Sequence, residues 1–258
     1  MEGKADLSIA NVLGSNIFNV LVVLGVAAII RPLPVRNSTV VSEIPFSLSA
    51  AILLGFLANA TLFSTKPELS ISSLDGGFLL LFFMLFMLYI YSISRDHGAY
   101  DSPPPPNRSI PLSIIYILGG VTGLFLGGQW VVDGAVGLAQ RWGVGDALIG
   151  LTIVAVGTSL PELVASAVAA WRKETDIAVG NVVGSNIFNL LWILGVTASI
   201  KELPFDAISN VDIVMVIAST MLILLAIVAS RIATITRGWG VVFVMTYIAY
   251  LAYVVQRG

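Results

Sequence analysis

Asp6-Leu7-Ser8-Ile9-Ala10-Asn11-Val12-Leu13-Gly14-Ser15-Asn16-Ile17-Phe18-Asn19 returns later in the chain as Asp176-Ile177-Ala178-Val179-Gly180-Asn181-Val182-Val183-Gly184-Ser185-Asn186-Ile187-Phe188-Asn189. The likeness continues through Leu24-Gly25-Val26 and Leu194-Gly195-Val196 and ends at Leu33-Pro34 and Leu203-Pro204. Chance does not produce a match of that length, and self-similarity on this scale marks a duplicated structural unit. Each copy opens an apolar run of about 20 residues, the length a helix needs to cross a bilayer.

Composition places the rest of the chain in the same solvent. Of 258 residues, 57% are hydrophobic and 11% charged, and the mean hydropathy is +0.95. A soluble domain carries about 25% charged residues, so most side chains here never meet water. With 13 Lys and Arg against 15 Asp and Glu, the net charge is −2. That balance offers no basic surface for nucleic acid. The absence of Cys removes disulfides and thiolate metal sites.

Eight spans are expected: Ile9–Ile30, Glu43–Phe63, Phe78–Ser94, Ile110–Leu138, Ala147–Ala170, Ile177–Ile200, Val211–Ser230 and Val241–Val255. The first is too long for a signal peptide and lacks a basic leader and a cleavage site. Alternate loops carry Arg31, Arg36, Arg95, Arg108, Arg172, Lys173, Arg231 and Arg237, against Lys4, Lys66, Arg141, Lys201 and Arg257 on the other side. The positive-inside bias puts the first set in the cytoplasm and both termini outside. Pro103–Pro106 stiffens the longest polar break, which reads as an extended cytoplasmic linker over residues 96–111. The two copies of the repeat begin the first and sixth spans, an odd number of crossings apart, and so run in opposite directions. The fold class is therefore all-α and polytopic with inverted repeats, a transporter architecture whose site lies near the bilayer midplane. A duplicated packing motif is the plain alternative.

In the fifth span, Gly157-Thr158-Ser159-Leu160-Pro161-Glu162 sets a helix breaker and a carboxylate inside an apolar run. Pro161 has no N–H for the carbonyl of Gly157, and Gly157 eases local unwinding. Broken backbone is tolerated at membrane depth only within protein or beside a wet cavity, and an intramembrane Glu marks function by default. A Pro kink with a protonated, hydrogen-bonded Glu would be the structural explanation. Counting helical rise, Glu162 lies roughly 15 Å in from the Arg172 loop, and Ser185 and Asn189 lie roughly 14 and 20 Å in from Asp176. Ser15 and Asn19 reach matching depth from the opposite face. Thr158/Glu162, Ser15/Asn19 and Ser185/Asn189 are i,i+4 pairs, each on one helix face. Oxygen ligands without His or Cys suit hard cations such as Na⁺ and Ca²⁺.

At these residues the chain resembles the sodium/calcium exchanger family, within the calcium/cation antiporter superfamily. Val131-Val132-Asp133-Gly134-Ala135, Gly150 through Glu162, and Gly180 through Ile187 look like a complete second family repeat. The resemblance implies calcium:sodium antiport by alternating access in the cell membrane rather than enzymatic catalysis, with Ca²⁺ and Na⁺ as cargo and no cofactor. It assigns Glu162 as the bridging carboxylate, Thr158 and Ala155 as backbone-carbonyl donors, and Ser185, Asn189, Ser15 and Asn19 as side-chain oxygen ligands. Position 189 is Asn where several family members have Asp. The implied organisation is residues 1–95 as three helices remaining from a first repeat, the linker 96–111, and residues 112–258 as the five-helix second repeat. That makes eight of ten helices, the missing pair preceding Met1 and carrying the first Gly-Thr-Ser-x-Pro-Glu segment. The other expectations are a non-transporting fragment or a subunit needing a partner, and exchange that uses H⁺ or K⁺ with or instead of Na⁺.

Other polar groups carry less. Gly119, Gly123 and Gly127 give the fourth span a smooth face, suited to sliding or to plain packing. Asp133 lines an entrance or sits solvated at the interface, Asp146 reads as an N-cap, and Glu43 reads as a first-turn acid beside Ser42. His97, the one His, falls in the linker and supports neither a metal site nor a catalytic dyad.

Overall fold

A computed structural model describes residues 3–36, 38–60, 69–96, 109–143, 155–230 and 233–257. Seven helices among them are long and apolar enough to cross a membrane: Ile9–Ile30, Thr39–Asn59, Ser73–Ile93, Ile110–Arg141, Thr175–Ile200, Ala207–Ala229 and Arg237–Arg257. A shorter apolar helix, Leu160–Trp171, accounts for the described part of the fifth expected span. The Pro-rich linker, His97 and Asp146 lie outside the described residues. The second span begins at Thr39 and not at Glu43, so Glu43 sits a turn into the helix. Its first turn is the π-helical segment Thr39–Glu43, which continues into the α-helix at buried Ile44.

The described elements are α1 (Gly3–Phe18), a π-helical segment π1 (Asn19–Leu24) and α2 (Gly25–Ile30), then β1 (Leu33–Pro34), π2 (Thr39–Glu43), α3 (Ile44–Asn59), β2 (Ser70–Ile71) and α4 (Ser73–Asp96). Next come α5 (Ile110–Arg141), α6 (Ala155–Thr158), α7 (Leu160–Trp171), α8 (Thr175–Ile187), π3 (Phe188–Ile193), α9 (Leu194–Ile200), β3 (Leu203–Pro204), α10 (Asn210–Ala229), β4 (Thr234–Ile235) and α11 (Arg237–Arg257). They form two compact units, Met1–Phe83 with Glu162–Gly258, and Met84–Pro161.

In the first unit the two repeats are interlocked. The β1 pair Leu33–Pro34 bonds antiparallel to β4, and its duplicate β3 bonds antiparallel to β2. The strand that ends each duplicated span thus pairs with the strand before the last span of the other repeat. Helix packing follows the same exchange. A Cβ on Gly240 would stand 2.6 Å from the Gly25 carbonyl, and one on Gly76 would stand 2.8 Å from the carbonyl of Gly195, the duplicate of Gly25. These glycines let backbones approach where lipid supplies no hydrophobic drive and close van der Waals packing must hold helices together. Aromatic rings repeat the pattern, Phe18 meeting Tyr247 edge-on at 5.4 Å and Phe188 meeting Phe83 edge-on at 5.9 Å.

Polar ties close the ends of the helices. Asn59 and Asn210 exchange amide hydrogen bonds of 2.6 and 2.9 Å between α3 and α10. Arg257 at the end of α11 donates to both oxygens of buried Asp212, at 3.1 and 3.2 Å, while Tyr250 donates to Asp212 Oδ1 at 2.8 Å. The turn from α7 to α8 places Lys173 at φ 72°, with Glu174 N–H bonded to Ala169 O and Lys173 N–H bonded to Ala170 O. That is the Schellman arrangement, which satisfies carbonyls a helix end leaves open. Arg36 reaches Asp176 at 2.6 Å across this face, with 70% and 45% of the two side chains exposed. Such exposed pairs contribute little.

In the second unit α5 carries Gly128 and Val132 against the segment that ends at Pro161. A Cβ on Gly128 would lie 3.7 Å from Pro161 Cδ, and one on Gly157 would overlap the Val132 side chain. Gly119, Gly123 and Gly127 have nothing within 4 Å of where a Cβ would stand, so among the described residues this face is open and not packed.

Gly240→Ala is expected to destabilise the first unit by about 1–3 kcal/mol, the usual cost of overpacking, and to lower the thermal midpoint of the detergent-solubilised protein. Gly14→Ala, where a Cβ meets nothing within 4 Å, is the matched control and should leave the midpoint in place. Arg257→Gln removes one partner of a buried pair and is expected to cost about 1–3 kcal/mol. Adding Asp212→Asn should then cost less than in the unmutated protein, because the two act as one interaction; additive losses in the same melting assay would contradict the tie.

Candidate functional site

Both copies of Ser-Asn-Ile-Phe-Asn end an α-helix and pass into a π-helical segment, α1 into π1 and α8 into π3. A π segment shifts the backbone bonds by one place, from i→i+4 to i→i+5, and is frequently found at functional sites. At the second copy Phe188 N–H is shared between the carbonyls of Gly184 and Ser185. Asn19 is the first residue of π1 and Asn189 the second of π3, so both sit where the helix changes pitch.

There the two repeats meet through their amides. Asn19 donates from Nδ2 to Asn186 Oδ1 at 3.1 Å, and its duplicate Asn189 donates from Nδ2 to Asn16 Oδ1 at 3.2 Å. The two bonds are mates under the inverted repeat. A third bond has no mate: Asn186 Nδ2 donates to the backbone carbonyl of Asn16 at 3.2 Å. Asn16, Asn19 and Asn186 are 0%, 1% and 1% exposed. Two polar atoms of this network, Asn19 Oδ1 and Asn16 Nδ2, and in the first turn of α7 also Glu162 Oε2, are nevertheless buried with no hydrogen-bond partner. Such atoms cost free energy when left alone, and two of the three are oxygens.

Glu162 stands in the first turn of α7, immediately after the break the sequence anticipates. The helix α6 stops at Thr158, Ser159 forms a turn closed by its N–H on Val156 O at 3.1 Å, and α7 resumes at Leu160 with Pro161 next. Pro161 has no N–H to donate, so the interruption falls where Pro and Gly157 together favour it. Ser166 and Asn181 then fasten α7 to α8. Asn181 Nδ2 donates to Ser166 Oγ at 2.9 Å and to the Glu162 carbonyl at 3.4 Å, and Ser166 Oγ donates to Ala178 O at 3.4 Å. The Glu162 backbone is thereby tied to the helix that carries Ser185 one turn beyond Asn181.

Of the residues singled out from sequence, Glu162, Ser185, Asn189, Ser15 and Asn19 belong to the first unit, and Asn19 and Asn189 join one cross-repeat network. Ser15 is buried beside Asn16, and Ser185 is half-buried. Ala155 and Thr158 form α6 in the second unit, where Thr158 is exposed. Asp133 is exposed on α5. Sequence reasoning missed Asn16, Asn186, Asn181 and Ser166. A signal for the first two was present, since Asn16/Asn19 and Asn186/Asn189 are i,i+3 pairs repeated identically and share a helix face.

Among the described residues no three His, Cys, Asp or Glu side chains cluster. The side-chain types gathered in the first unit, a carboxylate with amides and hydroxyls, are chemistry for a hard cation and not for zinc or copper. Comparison with known proteins agrees with this. A family model described as sodium/calcium exchanger protein matches residues 1–92 and 112–256. The inner membrane protein YrbG of Escherichia coli is 34% identical over 98% of this chain and 78% of its own length. The sodium/calcium exchanger MaX1 of Methanosarcina acetivorans is 39% identical over 50% of this chain and 36% of its own. The solved sodium-calcium exchanger NCX_Mj superposes with a TM-score of 0.78 at 31% identity, covering 97% of this chain and 77% of that one. The chain belongs to the sodium/calcium exchanger family of multi-pass membrane cation antiporters.

Proposed function

We propose that this chain exchanges Na⁺ for Ca²⁺ across the cell membrane, with Glu162, Ser15, Asn19, Ser185 and Asn189 supplying side-chain oxygens to the cargo. The observation that carries this reading is the pair of buried oxygens without partners, Glu162 Oε2 and Asn19 Oδ1. In a protein interior such acceptors are rare and call for a ligand. Ala155 and Thr158 are carried over as backbone-carbonyl donors by family resemblance and by their place before the break at Ser159.

Competition between the two ions for one set of oxygens, together with inverted repeats, gives antiport by alternating access. Ca²⁺ accepts six to eight oxygens in flexible geometry, and its affinity rises with the number of charged ligands. Among the described residues, Glu162 therefore supplies the formal negative charge that this chain brings to the proposed site. No enzymatic step is involved, and the protein needs no resident cofactor.

Glu162→Gln removes that charge with little change in volume. It is expected to abolish Na⁺-driven ⁴⁵Ca²⁺ uptake into vesicles while expression and thermal unfolding stay at the level of the unmutated protein. Uptake equal to that of the unmutated protein would sink the assignment. Replacing the Na⁺ gradient by an H⁺ or K⁺ gradient in the same vesicles should give no uptake; equal uptake would replace Na⁺ as the counter-ion.

A further inference from the structure

We infer that Asn186, which the proposed site does not use as a ligand, is a positioning residue that sets which end of the Asn19 amide faces the cargo ion. This rests on the reading of Asn19 as a cation ligand.

A side-chain amide has two ends of nearly equal shape, one donating and one accepting, and only its partners decide which way it points. The backbone carbonyl of Asn16 can only accept. Asn186, bonded to it at 3.2 Å, must therefore present Nδ2 there and Oδ1 on its other side. That oxygen in turn can only accept, so Asn19, 3.1 Å away, must turn Nδ2 toward it. The remaining end of Asn19 is then its oxygen, and Asn19 Oδ1 is buried with no partner. The direction of each amide follows from the one before it, beginning at a group that cannot be reversed. Were Asn186 replaced by an apolar residue, the Asn19 amide would lose its anchor and present N–H₂ to the ion as readily as C=O. An N–H₂ group repels a cation.

The mate of this arrangement is incomplete. Asn189 donates to Asn16 Oδ1, but Asn16 Nδ2 has no partner, and no backbone carbonyl fixes the direction of Asn16. Anchoring is thus specific to Asn186 among the two duplicated positions. Asn186 lies in the other repeat from Asn19, 167 residues away in sequence, so the orientation of a first-repeat oxygen is set by the second repeat.

The test is a double-mutant cycle read by equilibrium ⁴⁵Ca²⁺ binding to the purified full chain, with Na⁺ as competitor. Asn19→Ala and Asn186→Leu should each raise the half-saturating Ca²⁺ concentration about tenfold, the scale of one charge-assisted hydrogen bond. In the Asn186→Leu background, Asn19→Ala should add nothing. Asn186→Asp keeps the shape and the acceptor for Asn19 Nδ2, so there Asn19→Ala should retain its full effect whatever the added charge does to absolute affinity. This second variant keeps the cycle informative should Asn186→Leu fail to fold, and rescue of the coupling is an effect that a merely structural role would not produce. If Asn19→Ala leaves Ca²⁺ binding unchanged in the unmutated protein, the ligand assignment falls and takes this inference with it. If Asn19→Ala weakens binding but its effect is as large in Asn186→Leu, or is absent in Asn186→Asp, the ligand assignment stands and the positioning role is overturned.

Discussion

In the middle of a bilayer a side-chain amide cannot turn to water, so each hydrogen-bonding position it carries must find protein or cargo. The rest of the structure depends on how Asn16, Asn19, Asn186 and Asn189 meet that demand. They meet it across the repeat boundary, by three bonds of 3.1 to 3.2 Å. Neither copy satisfies its own amides alone. The contact that joins the halves of the fold is consequently the one that aims Asn19, and fold and site rest on the same interaction. The π segments fit this requirement, because changing pitch beside Asn19 and Asn189 brings these short side chains within reach of the opposite helix.

Around this centre the two copies are exchanged rather than stacked. Gly25 meets Gly240, and its duplicate Gly195 meets Gly76; β1 pairs with β4 and its duplicate β3 with β2. Each last helix therefore packs on the duplicated span of the other repeat. Where lipid is as apolar as leucine, such close backbone approach supplies the dispersion and weak Cα–H···O contacts that hydrophobic burial supplies in water. Interlocking also restricts how the halves can part, because moving one duplicated span drags a helix and a strand of the opposite repeat with it.

Much of this was legible in the residues. Hydropathy located the spans because lipid demands unbroken apolar helices, and the first ends at Ile30 as expected. The duplicated Ser-Asn-Ile-Phe-Asn pointed to the paired helices, and Pro161 with Gly157 pointed to the break before Glu162. What stayed hidden was long-range. Nothing local distinguishes Asn16 from Asn19 as anchor or ligand, since both are amides on one helix face and their roles depend on a partner more than 160 residues away. The π segments were hidden for the same reason, because a pitch change is stabilised by tertiary contacts and not by intrinsic propensity. The start of the second span at Thr39 was missed because Ser42 and Glu43 are polar by composition, yet both lie within the helical segment that begins there.

The direction of the amide chain has a consequence for the proposed cation site. From the Asn16 carbonyl through Asn186 to Asn19, each amide donates to the one before it, so the dipoles align head to tail and their negative end emerges at Asn19 Oδ1. Hydrogen bonds in such a row polarise one another, by about 10–30% per bond. An oxygen at the end of the row is a stronger cation ligand than an isolated amide, and it carries no formal charge whose burial would cost free energy when the cargo leaves. A carboxylate at the same position would bind Ca²⁺ more tightly and would also need neutralising in the empty state. Aligned amides thus hold part of the attraction in fixed dipoles, which favours an ion that must be released as readily as it is bound.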